Sequence, residues 1–356
     1  MLPVREATNY KTGEKSMTLK EKSADRNNNL DLIRFIAALL VILCHAYPLS
    51  KGQGYMDILG RITNGQTHFG NLAVCIFFFY GGFLIAKSAE RLKTAGAYFK
   101  ARILRLFPCL IVVTFFLTFL AGPCLTSLPV KVYFLQKGTY QYLLNSVMIL
   151  THNLPGVFTG NIYGQTVNGP LWTLPVEFLC YIMCFLVWRT GFLNEKRMKW
   201  TIPLFAAGYA GVKLLLGTNE LLLSALRPVG LFYAGMLYYV YRGKIKLRWE
   251  AALLCFAALI FFTWRGLLDV VVFVFLPYLL LYLGYGTRHK FSNFAKYGEV
   301  SYGVYLCGWP IQQTVCMLFG GRMVPVVNFL LTVPLAICGG FLLNRFVEKP
   351  AARIHR

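Results

Sequence analysis

Long apolar runs separated by short polar segments follow one another along most of this chain of 356 residues. A helix that crosses the ~30 Å hydrocarbon core of a bilayer needs about 20 mostly apolar residues. The pattern therefore predicts an all-α, polytopic integral membrane protein, a helical bundle with about ten transmembrane helices. The predicted spans are 30–49, 70–87, 107–123, 169–188, 200–217, 226–241, 249–264, 267–285, 300–319 and 324–346.

Two segments are predicted to lie outside these spans. Residues 1–29 are polar, with six basic and four acidic side chains, and are expected to form a cytoplasmic tail ahead of the transmembrane domain at 30–356. No apolar stretch with a small-residue cleavage site precedes residue 30, so the first apolar run is expected to be a retained helix. Residues 140–150 are short and interrupted by polar side chains, which favours an interfacial or re-entrant piece.

Composition and charge agree with a membrane protein. Hydrophobic residues make up 57% of the chain and charged residues 14%, whereas soluble domains carry about 25% charged residues. The net charge of +22 is also compatible with nucleic-acid binding. With ten spans and a cytoplasmic N-terminus, however, 27 basic residues fall on the inner side and eight on the outer side. This is the positive-inside distribution, so both termini are expected to be cytoplasmic and no nucleic-acid partner is expected.

The ten cysteines give no sign of a metal centre or a disulfide framework. Nearly all of them fall inside apolar runs, and none forms a CxxC pair. Cys180 and Cys184 lie one helical turn apart, but no matching His or Cys pair accompanies them. The prediction is that they are small buried residues in the reduced state and that no metal is bound.

The first predicted helix carries two ionisable residues, and such residues within spans are candidates for function. Eleven steps of ~100° place Arg34 and His45 on one helix face, separated by ~16 Å along the axis. Taken singly, Arg34 is also compatible with a snorkelling anchor and His45 with an interhelical hydrogen bond. Their shared face favours a site. Glu177 is the second candidate, because its estimated depth nearly matches that of His45 and allows a contact between them.

A third candidate set lies on the predicted inner face. Lys100, Arg102 and Arg105 stand just before a span, where arginine could bind phosphates. Anchoring to anionic lipid is an equally good interpretation of this set in isolation. Gly81 and Gly82 lie mid-helix and permit either close helix packing or close approach of a substrate.

In their order along the chain, these segments resemble the acyltransferase-3 family, membrane-bound O-acyltransferases of the bacterial surface-polysaccharide O-acetylase type. The resemblance covers roughly residues 27–353. It rests on six motifs: Arg34 and His45 with ten residues between them, Phe79–Leu84, Arg102 with Arg105 and Pro108, Asn168–Glu177, Ser301–Leu306, and Glu348–Pro350. One departure is Gly308, where many members have histidine, so any role of a second histidine is absent and His45 has to act alone.

The resemblance implies a multi-pass protein of the bacterial inner membrane that uses acyl-CoA, usually acetyl-CoA, as cytoplasmic donor. The acceptor would be a hydroxyl of a glycan or other cell-envelope substrate. His45 would be the catalytic base, oriented by Glu177, and Arg34, Lys100, Arg102 and Arg105 would hold the donor.

Two alternatives to this mechanism stay open. His45 could instead carry the acyl group transiently. The rival function is a transporter or flippase of a lipid-linked sugar, in which the buried polar residues would line a pathway.

Overall fold

The computed structural model describes residues 17–24, 27–215 and 220–354, and the side chains of residues 220 and 221 are not among those described. The described residues form helices joined by turns, with three isolated β-bridges. Ten long helices, named here α1 to α10 in chain order, begin and end at Leu30–Lys51, Phe69–Leu92, Ala95–Phe116, Thr173–Arg189, Thr201–Leu215, Glu220–Val240, Trp249–Trp264, Leu268–Leu281, Ser301–Leu318 and Pro325–Leu343. Each of them overlaps one of the predicted apolar runs, although α3 begins twelve residues before the predicted run 107–123.

Four of these helices are extended at one end by a 3₁₀ or a π-helical turn. A 3₁₀ turn at Gly169–Trp172 precedes α4, and π-helical turns follow α3, α8 and α10 at Leu117–Ala121, Tyr282–Gly286 and Asn344–Glu348. Such turns locally change the direction of side chains and are frequent at functional sites. Short helices occupy Leu19–Lys22, Ile58–Ile62, Gly122–Leu125, Val130–Leu135, Lys137–Gln141 and Lys349–Arg353, and 3₁₀ turns Tyr142–Val147 and Met198–Trp200.

The structure supports several of the predicted membrane spans but does not confirm their number. Six helical stretches in the described part of the chain are long and apolar enough to cross a bilayer: Leu30–Lys51, Phe69–Leu92, Ala95–Leu125, Gly169–Arg189, Leu268–Gly286 and Pro325–Arg353. They indicate a membrane protein, but they do not confirm the predicted ten spans. Trp249–Trp264 has 16 residues, which correspond to about 24 Å and are short for a ~30 Å core.

Helix α9 is not among these six stretches, and it carries polar side chains inside the bundle. Most of its residues are buried, and Gln312 and Gln313 are fully enclosed by protein. The Gln312 amide donates to the backbone oxygen of Ile42 at 2.9 Å and to Asn328 at 2.8 Å. The Gln312 NH2 group thus bonds to α1 and α10, and the Gln313 amide bonds to Asn161, Gly164 and Thr166. Because protein encloses these side chains, this helix does not need an apolar surface for lipid.

The core of the bundle is formed where α2 packs along α6. Phe79, Phe83 and Phe232 are completely or almost completely buried at this contact. A Cβ atom at Gly82 would lie 1.9 Å from the backbone oxygen of Phe232, and one at Gly235 would lie 2.2 Å from the backbone oxygen of Phe79. The two backbones therefore touch only because both positions are glycine. Gly82 confirms the packing interpretation, whereas its neighbour Gly81 lines a cavity.

Residues 140–150 do not form a spanning helix. The five-residue helix Lys137–Gln141 and the six-residue 3₁₀ turn Tyr142–Val147 are both too short to cross a membrane. Tyr142 and Asn145 are buried there, and the segment packs against α3. This agrees with the prediction that the segment does not span.

The described part of the N-terminal segment is attached to the bundle. The backbone of Leu19 donates to Ile245 at 2.7 Å, and that of Lys20 donates to Arg242 at 3.0 Å. Residues 1–16 and 25–26, which also belong to the predicted cytoplasmic tail, lie outside the described residues.

Candidate active site

A cavity of about 320 Å³ lies between α1, α2, α3, α4 and α9. Its wall is apolar along α2, where it includes Phe77, Gly81 and Leu84, and polar where α3, α4 and α9 meet. Four arginines line it: Arg34, Arg91, Arg102 and Arg105. We call the side of the bundle where these arginines lie the arginine end. The cavity reaches from there towards Thr173 at the start of α4.

Two of the predicted donor-binding arginines are already paired with carboxylates. Glu299 contacts Arg34 at 3.5 Å and Arg105 at 2.6 Å. Arg105 also contacts Glu348 at 3.5 Å, and the π-helical turn Asn344–Glu348 carries this second carboxylate. Arg105 therefore joins α3 to the residue preceding α9 and to the end of α10.

The charges around Glu299 stabilise its ionised form. Burial alone would raise the pKa of this carboxyl, but the Arg34 and Arg105 guanidiniums lower it, as do the hydrogen bonds with Ser301 and Arg105. The result is a pKa well below the usual range of a glutamate. The Ser301 backbone donates to Glu299 at 2.8 Å, so the carboxylate also satisfies the beginning of α9.

Arg102 and Arg91 have cationic groups that remain available. Neither of them forms an ion pair with another described residue. Arg102 donates to the Ser88 hydroxyl at 3.1 Å and lies over the rings of Tyr98 and Tyr181. Its Nε is buried without a hydrogen-bond partner among the described residues. A buried, unpartnered guanidinium nitrogen at a cavity wall is suited to an anionic ligand.

Lys100, the remaining basic residue predicted to hold the donor, does not line this cavity. Its side chain is exposed. Arg91, at the last turn of α2, takes that place, since it is exposed and also lines the cavity. Sequence reasoning missed Arg91, because nothing distinguishes it in the sequence from the other basic residues of the inner segments.

Glu177 lies in the cavity wall, but its contact is not the predicted one. The Tyr181 hydroxyl, one turn along α4, donates to the Glu177 carboxylate. Glu177 makes no hydrogen bond with His45 among the described residues, so the expected contact between the two is wrong.

His45 is not among the residues that line the cavity. Its ring packs edge-on against Trp309, with 4.8 Å between the ring centroids. Trp309 follows Tyr305, which lines the cavity, by one turn of α9, about 6 Å along the helix axis. The His45 ring nitrogens make no hydrogen bond to the described residues, which leaves an imidazole lone pair free to accept a proton.

The sequence motifs meet around this cavity. The Asn168 amide donates to the backbone oxygen of Leu306 at 3.0 Å. The Tyr305 hydroxyl contacts Thr173 at 2.7 Å and donates to the Pro170 backbone oxygen at 2.8 Å. These bonds fix the start of α4 against α9, and the Tyr302 hydroxyl likewise donates to the Leu106 backbone oxygen of α3 at 2.8 Å.

The motifs described above lie in a region that matches a known protein family. An acyltransferase domain matches residues 27–345, nearly the whole chain. The chain belongs to the acyltransferase-3 family. This confirms the resemblance seen in the motifs, and with it the prediction of an acyltransferase at the level of the family.

Two relatives are similar over part of this acyltransferase-3 chain. An O-acetyl transferase of Shigella phage Sf6 is 33% identical over 158 residues, which cover 44% of this chain and 45% of the relative. Nodulation protein 10 of Rhizobium leguminosarum bv. viciae is 30% identical over 179 residues, covering 48% and 47%. The matches span less than half the length of either relative. No solved structure matches the chain.

The departure at Gly308 has a structural counterpart in this member of the family. A Cβ atom at Gly308 would lie 2.9 Å from the Ile42 side chain of α1. A larger residue here would have to displace the Ile42 side chain, which belongs to the helix that carries His45. The close contact between α1 and α9 therefore takes the space that a second histidine would need.

Proposed function

We propose that this protein transfers an acyl group, usually acetyl, from cytoplasmic acyl-CoA to a hydroxyl of a glycan or other cell-envelope acceptor. The observation that carries the proposal is an arginine-lined cavity in an acyltransferase-3 chain, one of whose wall residues, Tyr305, lies one turn of α9 from the Trp309 ring against which His45 packs. The O-acetyl transferase relative supports an acetyl group. The proposed setting is a bacterial inner membrane with both termini in the cytoplasm, where acyl-CoA meets the arginine end.

The donor would bind through its phosphates. Arg102 and Arg91 are the proposed principal contacts, because both line the cavity and neither is paired with a carboxylate among the described residues. Arg34 and Arg105 would assist from their fixed positions beside Glu299. A volume of about 320 Å³ is at the lower end of ~300–1,000 Å³ for ligand pockets, so it suits the pantetheine arm with the nucleotide outside.

The chemistry requires a base at the acceptor hydroxyl. The hydroxyl oxygen would attack the thioester carbonyl, the carbon–sulfur bond would break, and His45 would take the hydroxyl proton and return it to the departing CoA thiolate. Two observations support this role: the His45 ring nitrogens make no hydrogen bond to the described residues, and the ring packs against Trp309, which lies one turn of α9 beyond the cavity residue Tyr305. Glu177 would act from the cavity wall through its charge, since it does not contact His45.

The test uses the full-length protein in proteoliposomes with acetyl-CoA labelled in the acetyl group and a bacterial envelope extract as acceptor. We expect label in the envelope material and an equal amount of free CoA thiol. His45→Ala should slow both by roughly 10²–10⁴-fold, the usual contribution of a general base. His152→Ala is the matched control, because His152 is an exposed loop histidine.

Three results would oppose the proposal. Absence of transfer by the wild-type protein would oppose the activity, and a normal rate in His45→Ala would oppose the role of His45. Movement of an unmodified lipid-linked sugar across the membrane, without release of CoA thiol, would favour the transporter alternative.

A further inference from the structure

A second polar cluster lies at the end of the bundle opposite the arginine end. Cys44 lies in α1. Asp57 caps the N-terminus of the short helix Ile58–Ile62, and His68 caps the N-terminus of α2. One atom from each residue can act as a metal ligand, and these three atoms all lie within 4.8 Å of one another. Three separate parts of the chain therefore converge on one point.

The distances suit a small metal ion after a modest adjustment of the three side chains. The Cys44 sulfur and His68 Nδ1 are 3.2 Å apart. Zinc binds a thiolate at ~2.3 Å and an imidazole nitrogen at ~2.0–2.1 Å, which places such a pair about 3.5 Å apart in tetrahedral geometry. Asp57 supplies an oxygen ligand at somewhat greater separation, so it would move towards the other two.

The surrounding backbone holds the ligands in place. Asp57 accepts from the Gly60 backbone at 2.7 Å with one oxygen and from the Phe69 backbone at 2.8 Å with the other. A Cβ atom at position 70 would lie 3.0 Å from the Cys44 sulfur and 3.2 Å from His68 Nδ1. Gly70 thus leaves the space in which the thiol and the imidazole meet.

We propose that Cys44, Asp57 and His68 form a binding site for a divalent metal ion with the preferences of Zn²⁺. Thiolate, imidazole and carboxylate are the three kinds of side chain that zinc binds in proteins. On binding, the Cys44 thiol gives its proton to solvent and a sulfur–metal bond forms, with no change of oxidation state. His68 is exposed, so a water molecule can complete the coordination as the fourth ligand.

Helix capping is the competing role of this cluster. His68 Nδ1 accepts from the Asn71 backbone at 3.1 Å, and a metal ion would need the same lone pair. That hydrogen bond is exposed to solvent, so water can replace it when the metal binds. A cluster that only capped helices would have no need of the buried Cys44 sulfur beside the ring.

The consequence of the site is a cross-link beside His45. Cys44 immediately precedes His45 on α1, and Asp57 and His68 belong to the connection between α1 and α2. A metal ion would fasten this end of α1 to the start of α2. The site itself does not depend on the proposed acyl transfer.

The test measures metal binding by the full-length protein in detergent, purified without a histidine tag. We expect one Zn²⁺ per chain by elemental analysis after dialysis against Zn²⁺, and a thiolate-to-metal absorption band with Co²⁺. Cys44→Ser and His68→Ala should each weaken binding by roughly tenfold or more, and Cys44→Ser should also abolish the Co²⁺ band. Cys124→Ser is the matched control, because Cys124 is an exposed cysteine elsewhere.

The wild-type protein keeps the proposal falsifiable even where a variant fails to fold. Zn²⁺ should raise its melting temperature, and a chelator should reverse the shift. Less than a tenth of a metal ion per chain, a Co²⁺ spectrum without a thiolate band, or equal binding by wild type and Cys44→Ser would each overturn the site and leave a helix-capping cluster.

Discussion

Arg105 and Glu299 form an ion pair with 2.6 Å between nitrogen and oxygen, and this pair joins α3 to the start of α9. Arg105 was expected to be a phosphate ligand, but the structure gives it two carboxylate partners, since Glu348 contacts it as well. The arginine end is therefore a network of paired charges in which only some cations remain available to a donor.

The first prediction concerns stability and pH. Glu299→Gln should lower the free energy of unfolding at pH 7 by ~1.5–3 kcal/mol, the usual range for a hydrogen bond to a charged group. Because its folded-state pKa is lowered, Glu299 stabilises the fold fully above its ordinary pKa of 4.5, and this contribution is lost as the pH falls. Thermal unfolding in detergent between pH 7 and pH 3 should show the wild-type advantage shrinking with acidification. A difference that is constant over this range would contradict the role of the charge.

The second prediction concerns the donor. Arg102→Ala should weaken acetyl-CoA binding by roughly 10–100-fold, because a phosphate contact is a charge-assisted hydrogen bond worth ~1.5–3 kcal/mol. Lys100→Ala is the matched control: this exposed cation lies two residues earlier and does not line the cavity. Calorimetry measures both affinities. Equal weakening by the two variants would indicate general surface electrostatics and remove the specific role of Arg102.

The third prediction separates the charge of Glu177 from its hydrogen bond with Tyr181. Glu177→Gln retains the shape and an acceptor but loses the charge, and it should reduce turnover less completely than His45→Ala. Tyr181→Phe keeps the carboxylate and removes the hydrogen bond. Steady-state kinetics should therefore show a larger loss of kcat for Glu177→Gln than for Tyr181→Phe. The reverse order would assign Glu177 a packing role.

The fourth prediction concerns the contact between α2 and α6. Gly82→Ala should destabilise the protein by ~1–3 kcal/mol or more, since its methyl group would overlap the Phe232 backbone. Gly208→Ala is the control on α5, where no atom lies within 4 Å of the new methyl group. It should be neutral or stabilising, because alanine favours helix by up to ~1 kcal/mol over glycine. Melting curves of the two variants with the same sign and size would refute close backbone packing at Gly82.

The fifth prediction concerns orientation in the membrane. Lys196 and Arg322 are both exposed and lie in turns that the charge distribution places on opposite sides. With a membrane-impermeant maleimide, Arg322→Cys should react in intact cells and Lys196→Cys only after permeabilisation. Reaction of Lys196→Cys in intact cells would invert the proposed topology of this region. Labelling of the unsubstituted protein measures the background reaction of its ten native cysteines.

Local periodicity explains why much of the fold could be predicted. Every predicted apolar run contains a helix, and 140–150 is not one of the long helices, because apolar run length depends only on neighbouring residues. The number of spans is not confirmed in the same way. Helices such as α9 are enclosed by protein, and a helix inside a bundle does not need the composition of one that faces lipid.

The candidate site likewise has features that the sequence predicts and features that only the packing of the helices sets. The sequence by itself determined a set of polar residues within or beside apolar runs, and the structure places three of them, Arg34, Arg102 and Glu177, in the wall of one cavity. Only the tertiary structure decided their partners, pairing Arg105 with Glu299 and Glu177 with Tyr181, and turning His45 towards Trp309. The physical reason is that spacing along one helix defines a face and a depth on that helix alone. Contact between two helices also depends on how each is rotated and shifted against the other, and the packing of the whole bundle sets that.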